Sequence, residues 1–206
     1  MKKRHIITIS GKPGSGKSST ADKVAELLGY TRHSSGDMVR KVLKQKRMSL
    51  EEYNERAAGE HELDAHVDEE LRNLREQKDI IVDSRLGFYW IPESFKVYLD
   101  LDMDVATARI YKDMVSNASR SGEGGNKNLS SVADSVRERM QNEQARFKSM
   151  YGIDPYNTNN FDLVINTSRH TPQSVALAVF DNYKEWLNSD TWEPRRSEIP
   201  LGFSLE

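Results

Sequence analysis

Residues 9–20, from Ile9 to Thr20, read ISGKPGSGKSST. Four residues separate Gly11 from Gly16-Lys17-Ser18, the spacing of a loop that cradles phosphate. An apolar run, 5–10, leads into it and a helix-forming stretch leads out, which is the setting that gives this pattern its physical meaning. Gly11, Gly14 and Gly16 carry no Cβ, so their backbone N–H groups can close on phosphate oxygens. The positive end of the following helix points at the same place. Lys17 adds a cation for the β- and γ-phosphates, and the Ser18 hydroxyl can reach a bound Mg²⁺. With Ser15 and Ser19 these residues predict a nucleotide site. Such a cradle serves GTPases, motor ATPases and small-molecule kinases alike, so the rest of the chain has to discriminate.

Beyond the loop, short apolar strands alternate with amphipathic helices, without an internal repeat or a long low-complexity tract. That alternation predicts an α/β fold with a parallel sheet flanked by helices. Five strands are expected, at 5–10, 30–34, 79–84, 95–101 and 161–166. Over 63–75 the apolar positions Leu63, Val67, Leu71 and Leu74 recur at helical spacing, as do Val175, Val179, Tyr183 and Trp186 over 171–187. Thr171-Pro172 reads as the cap and first turn of the second helix. Two segments break the pattern. The stretch SNASRSGEGGNKNLS, 116–130, has almost nothing to bury and is expected to be a mobile lid tip. The tail, 188–206, sets Trp192 and Phe203 among prolines and charges, which leaves packing and fraying both open.

Of the 206 residues, 36% are hydrophobic and 30% charged, enough for one packed core with a mobile lobe and too polar for a membrane span. A formal net charge of -2 argues against a broad nucleic-acid-binding face. Without cysteine there are no disulfides or thiolate metal sites, and the apolar run after Met1-Lys2-Lys3-Arg4 is too short for a signal-peptide core. A cytoplasmic monomer acting on small molecules, with no membrane or nucleic-acid partner, is the expectation.

The ends of the second and third strands carry the next candidates. After the second comes SSGDMVRK, 34–41, where Asp37 is expected to cap a helix projecting Arg40, whose planar fork of donors suits a second phosphate. After the third, Asp83 falls at the carboxyl end of a buried strand, where open α/β sheets place ligands. An acid there can hold Mg²⁺ through its water shell, together with Ser18, and Arg85 can reach the acceptor phosphate. In GEHELDAHVDEE, 59–70, His61 and His66 point to different helix faces, which reads as a solvated acidic face rather than a metal site. Tyr53 and Trp90 read as packing residues before base-stacking ones.

The P-loop, SSGDMVRK, SLEEYNERA (49–57), IVDSRL (81–86), ARIYKDM (108–114) and above all YGIDPYNTNNFDLVINTSRHTPQSV (151–175) together resemble the archaeal-type cytidylate kinases, members of the nucleoside monophosphate kinase superfamily. The resemblance covers most of residues 4–187. It implies a P-loop kinase fold and ATP- and Mg²⁺-dependent phosphorylation of CMP or dCMP. It further implies a CORE (1–34, 79–112, 151–187), a helical monophosphate-binding lobe (35–78) and a LID (113–150), followed by the tail. Arg40 and Arg85 fall where the family has acceptor-phosphate arginines, and Arg109 where an arginine meets ATP. Arg139 and Arg146 match arginine positions on the helix leaving the LID. Asp64, in the monophosphate lobe, has a carboxylate suited to a cytosine amino group or a ribose hydroxyl. The chain departs from the family in having Asp83-Ser84-Arg85 where Glu-Gly-Arg is common, and Asp113 where a second LID arginine is usual, with Arg120 or Lys127 as possible substitutes. Transfer to a phosphate oxygen needs positioning and charge neutralisation rather than a strong base. The alternatives are a related P-loop phosphotransferase for AMP, another small acceptor or an RNA end, and a nucleotide-dependent switch. The chain has no Asn-Lys-x-Asp motif of the GTPase kind.

Overall fold

Strand β1, Ile6–Gly11, is buried along its whole length. A strand covered on both faces buries its polar residues too, so Thr8 and Ser10, which alternate with Ile7 and Ile9, are buried, and the Thr8 hydroxyl pairs with that of Ser94 at 2.9 Å. In the computed structural model, which describes residues 3–48, 52, 62–116 and 128–197, β1 leads through the glycine loop into α1 (Lys17–Leu28). There follow β2 (Thr31–Ser34), α2 (Ser35–Lys46), α3 (Glu62–Leu74), β3 (Ile80–Asp83), the single turn α4 (Gly87–Trp90) and β4 (Phe95–Asp100). The chain continues through α5 (Met103–Ser116), α6 (Leu129–Tyr151), β5 (Leu163–Asn166), α7 (Pro172–Asn188) and β6 (Arg195–Ser197). The sheet order is β2-β3-β1-β4-β5-β6, with every neighbour pair parallel.

Helices cover both faces of this sheet. On one, Ile7, Ile9, Val97 and Leu163 meet Ala21 and Val24 of α1 and Val175 and Val179 of α7. On the other, Ile6, Ile80 and Val82 meet Val67, Leu71 and Leu74 of α3, as the helical spacing predicts; the Leu63 side chain lies outside the described residues. A third cluster sets Tyr98 and Phe161 against Phe147 of α6. α7 begins as predicted, with Pro172 in its first turn and the Thr171 hydroxyl accepting from the Ser174 amide at 3.2 Å. Among the described residues no helix is long and apolar enough to cross a membrane.

Two expectations need correction. The sheet has six strands, not five, because the tail adds β6 beside β5, pairing Leu163 with Arg195. An exposed edge strand of charged residues needs only backbone bonds, so Arg195–Ser197 carries no apolar signature. Trp192 docks the tail, its ring 5.7 Å from that of Phe95 and its indole N–H donating to the Asp162 carbonyl at 3.3 Å. The second correction concerns α2, which is capped by Ser34 rather than Asp37: the Ser34 hydroxyl accepts from the Asp37 amide.

Gly11 closes β1 with φ +147° against the backbone of β4, where an added Cβ would run into the Leu99 carbonyl group. No side chain fits there and the neighbour is backbone, which cannot swing aside. Gly11→Ala is therefore expected to lower unfolding stability by at least about 2 kcal/mol, measured by urea denaturation.

Candidate active site

The loop after β1 is held from several sides. Lys12 Nζ donates to Asp100 Oδ1 at 2.6 Å and to the Leu101 carbonyl at 3.2 Å, fixing the loop entry to the end of β4. The Thr167 hydroxyl, after β5, sits 3.2 Å from the Ser15 carbonyl. Gly14 and Gly16 take the left-handed conformation (φ +76° and +82°), and Gly16 caps α1 without any side-chain hydrogen bond to its first amides. Those amides remain available to an anion, as at other helix N-termini. The Ser15 hydroxyl is buried with no hydrogen-bond partner among the described residues.

The parallel register puts Ile9 of β1 opposite Asp83 of β3. The Ser18 hydroxyl consequently donates to Asp83 Oδ2 at 2.7 Å, joining the two residues predicted to serve Mg²⁺. A hydroxyl and a carboxylate are hard oxygen donors of the kind Mg²⁺ prefers, so the pair fits that ion. Arg32, which the sequence reading missed, donates to the same Oδ2 at 2.7 Å and to Asp22 of α1 at 3.1 Å. Asp83 is only 6% exposed, and this guanidinium supplies a charge partner for the buried carboxylate.

Arg85, two residues past β3, donates through Nε to Glu143 Oε2 at 2.7 Å and through Nη1 to the Gly11 carbonyl. Glu143 lies on α6, accepts from Arg139 Nε on Oε1 at 3.0 Å and from the Tyr156 hydroxyl on Oε2 at 2.5 Å, and is 14% exposed. Burial alone would raise its pKa, but Arg85, Arg139 and the Tyr156 hydroxyl outweigh it and hold the carboxyl well below the usual range. Lys17 lies within the field of this cluster. Burial and the Arg85 charge lower its pKa to about 7, against the pull of Asp83 and Glu143. The available signals for Glu143 and Tyr156 were a carboxylate four residues after Arg139 and an aromatic within YGIDPY, and neither reveals a partner on another element.

Arg109 adjoins the loop itself, its Nη1 3.4 Å from the Gly14 carbonyl. Arg109 Nη2 donates to the Thr167 carbonyl at 2.7 Å, beside a cavity of about 400 Å³ lined by Gly14, Gly16, Thr20, His170 and Pro172. Arg40 is 69% exposed and paired with Asp37, away from the Arg85 cluster in its contacts. Arg146 is half-buried, its guanidinium 4.8 Å from the Phe147 ring centre. Asp68 of α3, set aside in the sequence as part of a solvated face, is buried: it accepts from the Trp90 indole at 3.0 Å and from the Tyr151 hydroxyl. Tyr53, His61, Arg120, Lys127, the core of the predicted lid tip and the Asp64 side chain lie outside the described residues. Among the described residues no cluster of three metal-ligating side chains forms.

Residues 6–169 match the family model of the cytidylate kinase-like family. A cytidylate kinase of Thermoplasma acidophilum is 31% identical over 92% of this chain and 97% of that protein. Another, of Halobacterium salinarum, is 31% identical over 95% of this chain and 94% of its own. Among solved structures, a shikimate kinase from Acinetobacter baumannii in complex with shikimate has a TM-score of 0.59 at 15% identity, covering 91% of this chain and 96% of that one. The likeness in structure is one of fold.

At about pH 8 Lys17 is mostly neutral, since its pKa has fallen to about 7. A triphosphate against it favours the charged form, so nucleotide binding takes up a proton. Calorimetry in buffers of different ionisation enthalpy is expected to read uptake of most of one proton at about pH 8 and little at about pH 6. Lys17→Met should abolish the difference.

Proposed function

On the premise that the chain belongs to the cytidylate kinase-like family, we propose that it transfers the γ-phosphoryl group of ATP to CMP or dCMP, giving ADP and CDP or dCDP. It is a phosphotransferase of the cytidylate kinase type. What supports transfer between two phosphates is one contact: Arg85, the arginine assigned to the acceptor, donates to the carbonyl of Gly11, which opens the donor's phosphate loop; the choice of CMP or dCMP follows the relatives, which are cytidylate kinases. Two anions held by these groups would lie end to end.

In this reading the amides after Gly14 and Gly16 hold the donor's phosphates, and Lys17 follows the charge that develops on the transferring group. Arg85 seats the acceptor's phosphate beside it, with Arg139 from α6 closing the cationic ring. Ser18 and Asp83 would hold Mg²⁺, which supplies charge neutralisation and orientation of the donor phosphates. Arg109 and the cavity beside it take the donor nucleoside. α2 and α3, with Asp37, Arg40 and Asp64, form the acceptor lobe, and 113–150 forms a LID that keeps water from the transferring group. The acceptor oxygen is already anionic, so no residue acts as general base.

A coupled assay of CMP, dCMP, UMP, AMP and GMP with ATP and Mg²⁺ tests this. CMP and dCMP are expected to be turned over fastest, and ADP release without acceptor to be slower by at least about 100-fold. AMP outpacing CMP would move the assignment to another monophosphate, and acceptor-independent hydrolysis to a switch or ATPase. Lys17→Ala should lower kcat by about 100- to 1000-fold while leaving the thermal melt in place.

A further inference from the structure

We propose that Glu143 is a positioning residue for the acceptor's phosphate, a role that rests on the kinase reading above and adds to it. A carboxylate in a site for two polyanions is unfavourable on charge alone, because it cancels one of the cations gathered there. Buried ion pairs are also weak sources of stability. Orientation is what the geometry supplies. Glu143 takes the Nε edge of Arg85 and the Gly11 carbonyl takes Nη1, so the guanidinium plane is fixed from two sides. Among the described residues Nη2 has no partner and is left as the donor for a phosphate oxygen. The carboxylate is in turn fixed by Arg139 and the Tyr156 hydroxyl, with Tyr156 anchored outside α6. An arginine held in this way loses little side-chain freedom when the anion arrives.

The opposing account makes Glu143 a counter-charge only, and the two accounts differ in sign. Glu143→Gln removes a negative charge at constant shape. If the residue merely neutralises cations, the variant binds CMP more tightly; if it orients Arg85, the acceptor KM rises by about tenfold or more and kcat falls, while the KM for ATP moves less than about twofold. An acceptor KM that is unchanged or lower, at unchanged kcat, overturns the proposal. Should Glu143→Gln fail to fold by its thermal melt, Tyr156→Phe decides, since it removes one hydroxyl from the same carboxylate. It is expected to raise the acceptor KM about threefold, and an unchanged value overturns the proposal. Wild-type protein that turns over no monophosphate overturns the kinase reading and this role together. Active wild type with an indifferent Glu143→Gln overturns only this role.

Discussion

The pairing of β1 with β3, which sets Ile9 opposite Asp83, is the constraint on which the site depends. Both strands run parallel and end at the same edge, so the loop after β1 and the residues after β3 emerge side by side. Ser18 reaches Asp83 from one, and Arg85 reaches back to Gly11 from the other. A slip of one residue would send Asp83 to the opposite face of the sheet and leave the loop without its acid. The slip is prevented by the core, because Ile7, Ile9 and Ile81 share one packed cluster while Ile6, Ile80 and Val82 share another. Burial of those side chains sets the chemistry by setting the register.

Helix α6 extends the same logic to parts of the chain that the sheet does not order. Its 23 residues span about 34 Å at the usual rise. Glu143 and Arg139, on one side and one turn apart, bring it to the loop edge, and Phe147 seats it in the aromatic cluster with Tyr98 and Phe161. At its end Tyr151 donates to Asp68 of α3, which also holds Trp90. One helix thus touches the Arg85 cluster, the core and the helix assigned to the acceptor lobe. A displacement of α6 would be felt at all three places.

What was legible in the sequence was local. The glycine spacing, the Pro172 start of α7 and the stripe of α3 depend on neighbours within a turn or two, and the chain itself displays them. Asp83 and Arg85 were legible because a strand end is a place that topology reserves for ligands. Arg32 was not, since its partners Asp22 and Asp83 come from α1 and β3, and an arginine in a short edge strand carries no mark of them. Asp68 was misread for a related reason: its helix face is polar by composition, and only the approach of Trp90 and Tyr151 buries it. Ser34 and Asp37 compete for the same capping role by type, and the backbone at Ser34, extended at φ -125°, decides between them.

The charges of the site are balanced within the chain. Asp83 is met by Arg32 and Ser18, Glu143 by Arg85 and Arg139, and Lys17 by giving up part of its affinity for a proton. Each of these groups would cost far more to bury alone than in its pair. An arriving polyanion therefore does not meet bare positive charge. Arg85 and Arg139 are already engaged by Glu143, so on the proposed reading the binding of a phosphate would be in part an exchange with the bonds those guanidinium groups hold. Such an exchange favours an anion whose oxygens fall where the donors are fixed over one that is merely more charged. On the proposed reading, selectivity for a phosphate at a set distance from the loop would follow from that geometry without any contact with the base.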